Sequence, residues 1–253
     1  MFDQYANFIK ADCSGDYTAI ELNGIEDKHH SVLANSATFL NETRTALVQA
    51  QATLPFFAEK YNISPHMKDY VLVPTIILPS DLPNRNAVAF PLTQLACANL
   101  TAGRVAYQTF TNKPCHVEHN NSDPSKAKGI VLDSFMKKMR NVQGDIHKVI
   151  ALCAFDRSRD PILANDILAK KRSSYSMGAY CEHYTCSHCG AVHNPSAGKV
   201  GCDHISVGSS KINVLANDEL VFANAYNIMG FEVSSVLSPA YRSAADSPFM
   251  TLQ

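Results

Sequence analysis

The sequence predicts a mainly β domain, an antiparallel sheet or barrel with helical additions. Three observations carry this. Strand-like runs dominate from residue 69 to 237, led by YVLVPTIIL (Tyr70–Leu78) and by Ile146–Phe155. Within that span only residues 160–171 carry clear helix signals. Ahead of it, Val32, Phe39, Leu40, Leu47 and Leu54 recur at helical intervals between Asp27 and Tyr61. The expected organisation is a helical segment over 1–65, a pro-region or docking arm, then one domain over 66–253 with a small insert at about 183–206.

Composition narrows the function. A chain of 253 residues can bury a sizeable core, and 46% hydrophobic against 18% charged residues reads as globular. The formal net charge of −1 offers no basic field, so nucleic acid is not an expected partner. No apolar run approaches the roughly 20 residues of a membrane span. The opening MFDQYANFIKADCSGD lacks a basic-then-apolar signal pattern, so secretion is not expected. Of eight cysteines, three crowd into Cys186–Cys202 beside histidines. In a chain without a signal peptide that favours a metal over disulfides.

In order, Pro55 is expected to kink or end the first helix, and Pro65 closes the region. His29 and His30 read as a surface pair. Pro74 makes Tyr70–Leu78 an edge strand or a bulged one. PSDLPNRNAVAFP is a loop, Leu92–Ala98 a short helix, and Ala106–Phe110 a strand running to a turn at Asn112–Pro114. His116, Glu118 and His119 end a short strand, and a polar loop over Asn120–Lys128 precedes the next strand at Gly129. After Ile146–Phe155, Asp156, Arg157 and Arg159 form a structural loop. Asp160-Pro161 then supplies an N-cap and a first helical residue, and the helix runs to about Lys171 with basic residues at its end. Ser173–Cys181 is a strand and Lys211–Ala225 hairpin-like. Gly230–Pro239 holds a buried strand with Glu232 inward or at the rim, and the tail SAADSPFMTLQ is polar and loose.

Two constellations could carry chemistry. Cys186 and Cys189 form a C-x2-C knuckle, and Gly190 suits the tight turn after it. Cys202 and His204 follow about a dozen residues later, which completes a tetrahedral site for a structural zinc ion with no position left for water. His188 and His193 are alternative fourth ligands, and free buried cysteines are the plainer reading. The second constellation starts from Ser176, which shares a strand face with Ser174 and Gly178. Small neighbours leave room for a substrate carbonyl, so Ser176 is a candidate nucleophile if a histidine base and an orienting carboxylate exist. The residues alone leave His119 or His116 as base, and Glu232, Asp203 or Asp156 as carboxylate.

Five runs stand in a telling order: NKPCHVEHNNSDPSKAKGIVLDS, ALCAFDRSRDP, SYSMGAYCEHYTCSHCG, CDH and GFEVSSVLSPAY. Together they resemble the prohead (head maturation) proteases of tailed bacteriophages, most of all the large-phage branch with a Cys-rich insert after the serine strand. LPNRNAVAFP is similar to a segment of the same branch, and the resemblance spans about residues 69–245. It implies a herpesvirus-protease-like (assemblin-type) β-barrel. It also implies a serine endopeptidase that cleaves scaffold or core proteins, the major capsid protein and itself. That work is done inside the assembling prohead in the host cytoplasm, with a homo-oligomer possible and retention in the virion compatible. The resemblance puts the nucleophile at Ser176, the base at His119 and the acidic residue at Glu232. The cysteine insert lengthens the chain between Ser176 and Glu232. Herpes-type relatives use a second histidine as third member, which would bring in His204, but its expected place on the metal argues for Glu232.

Two rivals remain. A zinc deaminase would use His116-Val117-Glu118 with Cys186 and Cys189, but the proline before the first cysteine is missing and Cys202 and His204 go unexplained. A non-catalytic phage structural or capsid-associated protein would keep the zinc knuckle and need no nucleophile. An H-x-x-E-H metalloprotease is excluded by the spacing of His116 and His119.

Overall fold

The computed structural model of the chain describes residues 20–21, 49, 52–139, 144–199, 201–205, 213–215 and 217–241. Most of the expected helix over 27–61, the His29-His30 pair and the tail from 242 on lie outside them. The described strands are, in chain order, β1 (Ile20–Glu21), β2 (Tyr70–Pro79), β3 (Val88–Ala89), β4 (Ala98–Asn99) and β5 (Arg104–Val105). Then come β6 (Pro114–Val117), β7 (Gly129–Lys138), β8 (His147–Asp156), β9 (Tyr175–Tyr180) and β10 (His183–Cys186). The last are β11 (Val192–His193), β12 (Asn213–Val214), β13 (Leu220–Val221), β14 (Ala223–Tyr226) and β15 (Met229–Ser235). Helix α1 covers 52–61, α2 is Leu92–Leu95 and α3 is Pro161–Leu168.

The protein is mainly β, as expected, and its principal sheet is a curled half-barrel. That sheet has seven strands in the order β1-β2-β8-β7-β6-β15-β9. Its neighbours run antiparallel except β6 and β15, which run parallel. The curl brings β9 against β2. β8 shows why its sequence is apolar without a break. Val149, Ala151, Cys153 and Phe155 face one core, which also holds Tyr175, Val233 and the α3 residues Leu163 and Ile167. Ile150, Leu152 and Ala154 face a second core on the opposite side. A strand buried on both faces has no solvent side to carry polar residues.

The second core is covered by α1, through Leu54, Ala58 and Tyr61. Tyr61 also donates its hydroxyl to Asn112 O at 2.9 Å. Pro55 therefore sits inside a helix that continues to residue 61 instead of ending there; burial of the Leu54–Ala58–Tyr61 face stabilises the helix across it. Among the described residues β1 pairs with β2 at residues 71 and 72, and a register shift of β2 against β8 falls between Ile76 and Leu78, past Pro74.

Two expectations need correction. Ala106–Phe110 is a 3-10 helix, not a strand. The Thr109 hydroxyl bonds back to Ala106 O at 2.6 Å, and the turn swings Phe110 fully into the core. There Phe110 packs on Gly230, where a Cβ would lie 2.4 Å from its ring. Helix α3 starts as read, with Asp160 accepting from Leu163 N at 3.0 Å and Pro161 next, but ends at Leu168. Among the described residues no helix is long and apolar enough to cross a membrane.

A second, four-stranded sheet has the order β11-β10-β14-β3. It joins the cysteine insert to the loop after β2.

Candidate active site and metal centre

His119 lies just past the end of β6. Glu118 and His119 both adopt left-handed backbone, at φ 49° and 55°. Such conformations cost a non-glycine residue of order 1 kcal/mol each, so something must hold the turn. The Glu118 amide donates to Ser235 O at 3.0 Å, and Asn120 N to Val117 O at 3.0 Å. The Glu118 carboxylate accepts from Leu237 N at 3.1 Å and pairs with Arg172. Arg172 in turn donates from Nε to the Ser235 hydroxyl at 3.2 Å. The turn is thus clamped from two other segments of the chain.

The clamp brings His119 to Glu232. His119 Nδ1 lies 2.5 Å from Glu232 Oε1. Glu232 is fully buried on β15, while the His119 side chain is 43% exposed. The other carboxylate oxygen, Oε2, accepts from the Ser234 hydroxyl at 2.7 Å. The two pKa values move in opposite directions, and each shift favours the charged form. The hydrogen bond to Glu232 raises the His119 pKa above the ordinary imidazole value, against the opposing effect of burial. Burial pushes the Glu232 carboxyl up, but the hydrogen bonds from His119 and Ser234 outweigh it and leave the pKa below its ordinary value.

Ser176 sits on β9, the strand next to β15, and is only 6% exposed. The register pairs Ser176 with Ser234 and Gly178 with Glu232. Gly178 must be small, because a Cβ there would lie 2.4 Å from the Phe231 ring and 2.9 Å from Glu232 Cγ. Ser176 and His119 both line one cleft of about 730 Å³. Met177, Gly178 and Phe231 also line it, as do Asn84, Arg85 and Val88.

The other candidates fall elsewhere. His116 is buried on β6, beside Ser234 in the register, with neither ring nitrogen hydrogen-bonded among the described residues. Burial lowers its pKa, which favours the neutral ring. Asp156 is consumed by the turn before α3, where it accepts from Ser158 N at 2.8 Å, Ser158 Oγ at 2.6 Å and Arg159 N at 3.2 Å. Its other oxygen accepts from Ser64 N at 2.7 Å. Asp203 is exposed between two of the cysteine-insert ligands. Of these candidates, His119 and Glu232 are the histidine and carboxylate in contact, and His119 lines the cleft that Ser176 also lines.

The metal-ligand expectation is met in its coarser form. Cys186, Cys189, Cys202 and His204 assemble into a cluster that could hold a metal ion, with ligand atoms all within 4.8 Å of one another. Cys189 Sγ lies 3.5 Å from Cys202 Sγ and 3.3 Å from His204 Nδ1. Tetrahedral metal–sulfur bonds of about 2.3 Å put two sulfurs about 3.8 Å apart, so the donor set fits such a site. Gly190 takes φ 70° at the knuckle, and its N–H donates to Cys186 O at 3.0 Å. Hydrogen bonds, first with the Ala191 amide and then with His204, Cys202 and Cys186, pull the Cys189 thiol down to about 6, which suits a thiolate ligand. The alternative fourth ligands are otherwise engaged. His188 pairs with Glu219 at 3.0 Å, and His193 accepts from Gly201 N at 3.1 Å. The deaminase arrangement is absent among the described residues, since Cys186 and Cys189 assemble with Cys202 and His204 and not with His116.

Ser234 and Arg172 were not read as site residues from sequence. Ser234 was within reach of a strand argument, because residues 232 and 234 share a face. Arg172 was not, since its partners Glu118 and Ser235 are 54 and 63 residues away. Comparison with models of protein families, with curated proteins and with solved structures gives no match. What the site can do is therefore argued from its own geometry.

Proposed function

We propose that the protein is a serine endopeptidase with Ser176 as nucleophile, His119 as base and Glu232 as the residue that orients the base. The observation that carries this is the 2.5 Å contact of His119 Nδ1 with a buried carboxylate, on a cleft that Ser176 also lines. With Nδ1 committed to Glu232, Nε2 is the nitrogen left to take the serine proton. Ser176 Oγ attacks the scissile carbonyl as His119 accepts that proton. The imidazolium is stabilised by Glu232 and gives the proton to the leaving amine. Water then repeats the sequence on the acyl-enzyme. β9 is a terminal strand of the main sheet. An extended, loosely structured segment of a substrate protein suits the open cleft beside it.

The motif resemblance supplies the finer reading: an assemblin-type barrel that cleaves scaffold or core proteins, capsid protein and itself within a phage prohead. The ion at Cys186, Cys189, Cys202 and His204 is read as zinc. Four protein ligands leave no open position, so its contribution is folding energy for the insert and not chemistry on substrate.

The test is wild type beside Ser176→Ala, each co-expressed with the candidate scaffold protein and followed by intact mass. Clipping of the scaffold or of the chain itself by wild type, with both left whole by Ser176→Ala, is the expected result. Equal cutting by both proteins removes Ser176 as nucleophile. Absence of cutting by either, with both folded and metal-loaded, favours the non-catalytic capsid-associated reading.

A further inference from the structure

We propose that the metal centre belongs to the substrate-binding machinery, because it fixes the cleft-lining segment 84–90. This rests on the endopeptidase reading for what the cleft receives, but the coupling itself stands on the fold. The register places a metal ligand and a cleft residue in one row. Cys186 on β10 pairs with Ala223 on β14, and Ala223 pairs with Val88 on β3. Val88 lines the cleft, as does Tyr184 two residues before the ligand.

Hydrogen bonds follow the same path. Ser187, inside the ligand knuckle, donates its amide to Phe222 O at 2.9 Å and accepts from Phe222 N at 3.0 Å through its hydroxyl. The next amide, Ala223 N, donates to Ala87 O at 2.9 Å. Ala87 belongs to a compact turn that Asn84 closes. The Asn84 side chain accepts from Asn86 N at 2.9 Å and Val88 N at 3.1 Å, and its amide donates to Val88 O at 2.9 Å. A shift of the knuckle is therefore passed to a preformed turn and not absorbed by a slack loop.

The outer end of the sheet that carries this row has little else to hold it, while Val88, Ala223 and Ala225 at its inner end join the main core. Its strands β11, β10, β14 and β3 contain two, four, four and two residues. Strands this short are marginal unless one face is buried. At the outer end Val192 is 41% exposed and Cys189 is exposed. The metal stands where a hydrophobic core would stand in a larger module, and its binding energy is folding energy for β10 and β11. On its far side the 84–88 turn is held by the Arg85 amide on Ala240 O at 3.0 Å and by Arg85 Nη1 on the Ser238 hydroxyl at 2.5 Å. Loss of the ion leaves the turn with those bonds and the core packing of Val88 and Phe90, but without a fixed knuckle at the other end of the row.

The experiment compares amide hydrogen exchange of the full chain in three forms: loaded with zinc, stripped with a chelator, and re-loaded. Metal content is measured in each. Cys189→Ser provides a second route to the stripped state. The expected result is one ion per chain, faster exchange over 183–205 on stripping, and an acceleration of at least about ten-fold over 84–90, with β8 unchanged and full reversal on re-loading. Peptide cleavage, measured in parallel, should show a raised KM with kcat held within about three-fold. Acceleration confined to 183–205 overturns the coupling, as does metal loss without any change, a chain that takes up no metal, or unfolding of β8 together with the insert. If no form cleaves peptide, the endopeptidase reading fails by itself, and exchange at 84–90 still decides the coupling.

Discussion

Glu232→Gln should lower kcat/KM for a cleaved scaffold peptide by about 10⁴-fold while leaving the fold intact, the scale of losing the orienting carboxylate from a serine–histidine–carboxylate set. Glutamine preserves the size of the buried side chain but removes the charge that stabilises His119 as it becomes an imidazolium. A second change should accompany the loss. The base must be neutral to accept the Ser176 proton, and the bond to Glu232 raises its pKa above the ordinary value near 6.5. Wild-type activity should therefore fall as pH drops through that raised value, with the acid limb on the alkaline side of 6.5. In Glu232→Gln the residual activity should keep a limb displaced to lower pH. A pH–rate profile of both proteins checks this. An unchanged limb would mean that a group other than His119 titrates.

The second large effect is on the fold. Gly129→Ala should cost more than about 4 kcal/mol and leave little native protein, because typical domains have only about 5–15 kcal/mol to lose. Gly129 opens β7 and is paired on both sides, with Cys115 of β6 and Phe155 of β8. A Cβ there would lie 2.0 Å from Ala154 O and 2.9 Å from Phe155 Cα. Both are backbone of the neighbouring strand β8, so no rotamer change relieves the clash. A urea midpoint measured by far-UV circular dichroism reads the effect. A loss under about 1 kcal/mol would mean that β7 and β8 are not packed this closely.

Which parts of this were legible in the sequence follows the range of the interaction. Tyr70–Leu78 and Ile146–Phe155 were readable because burial of both faces writes itself into β-branched and apolar runs. The start of α3 was readable because Asp160 and Pro161 act on their own first turn. Ala106–Phe110 does not form the expected strand, because the Thr109 hydroxyl and the packing of Phe110 over Gly230 decide for a 3-10 turn. The metal ligands were marked by spacing, but His204 could be told from His188 and His193 only after the insert was folded, with Glu219 and Gly201 occupying the other two. The choice of Glu232 over Asp156 and Asp203 is of the same kind. It depends on β15 lying between β6 and β9, a parallel and an antiparallel pairing between segments far apart in the chain, which no local pattern encodes.

The backbone of Glu118 and His119 carries a further lesson. Nothing in HVEHNN announces two consecutive left-handed residues, because the clamp that holds them comes from Arg172 and Leu237. Strain at the site is held by distant parts of the fold.

The central claim is that Ser176 is activated by the His119–Glu232 pair. The most direct measurement is reaction with a fluorophosphonate, which forms a phosphorus–oxygen bond to an activated serine and releases fluoride, followed by peptide mapping. The account predicts one label per chain on Ser176 in wild type, and loss of that label in His119→Ala with the fold retained. Label on another residue, or equal labelling of Ser176 with and without the His119 imidazole, would contradict it.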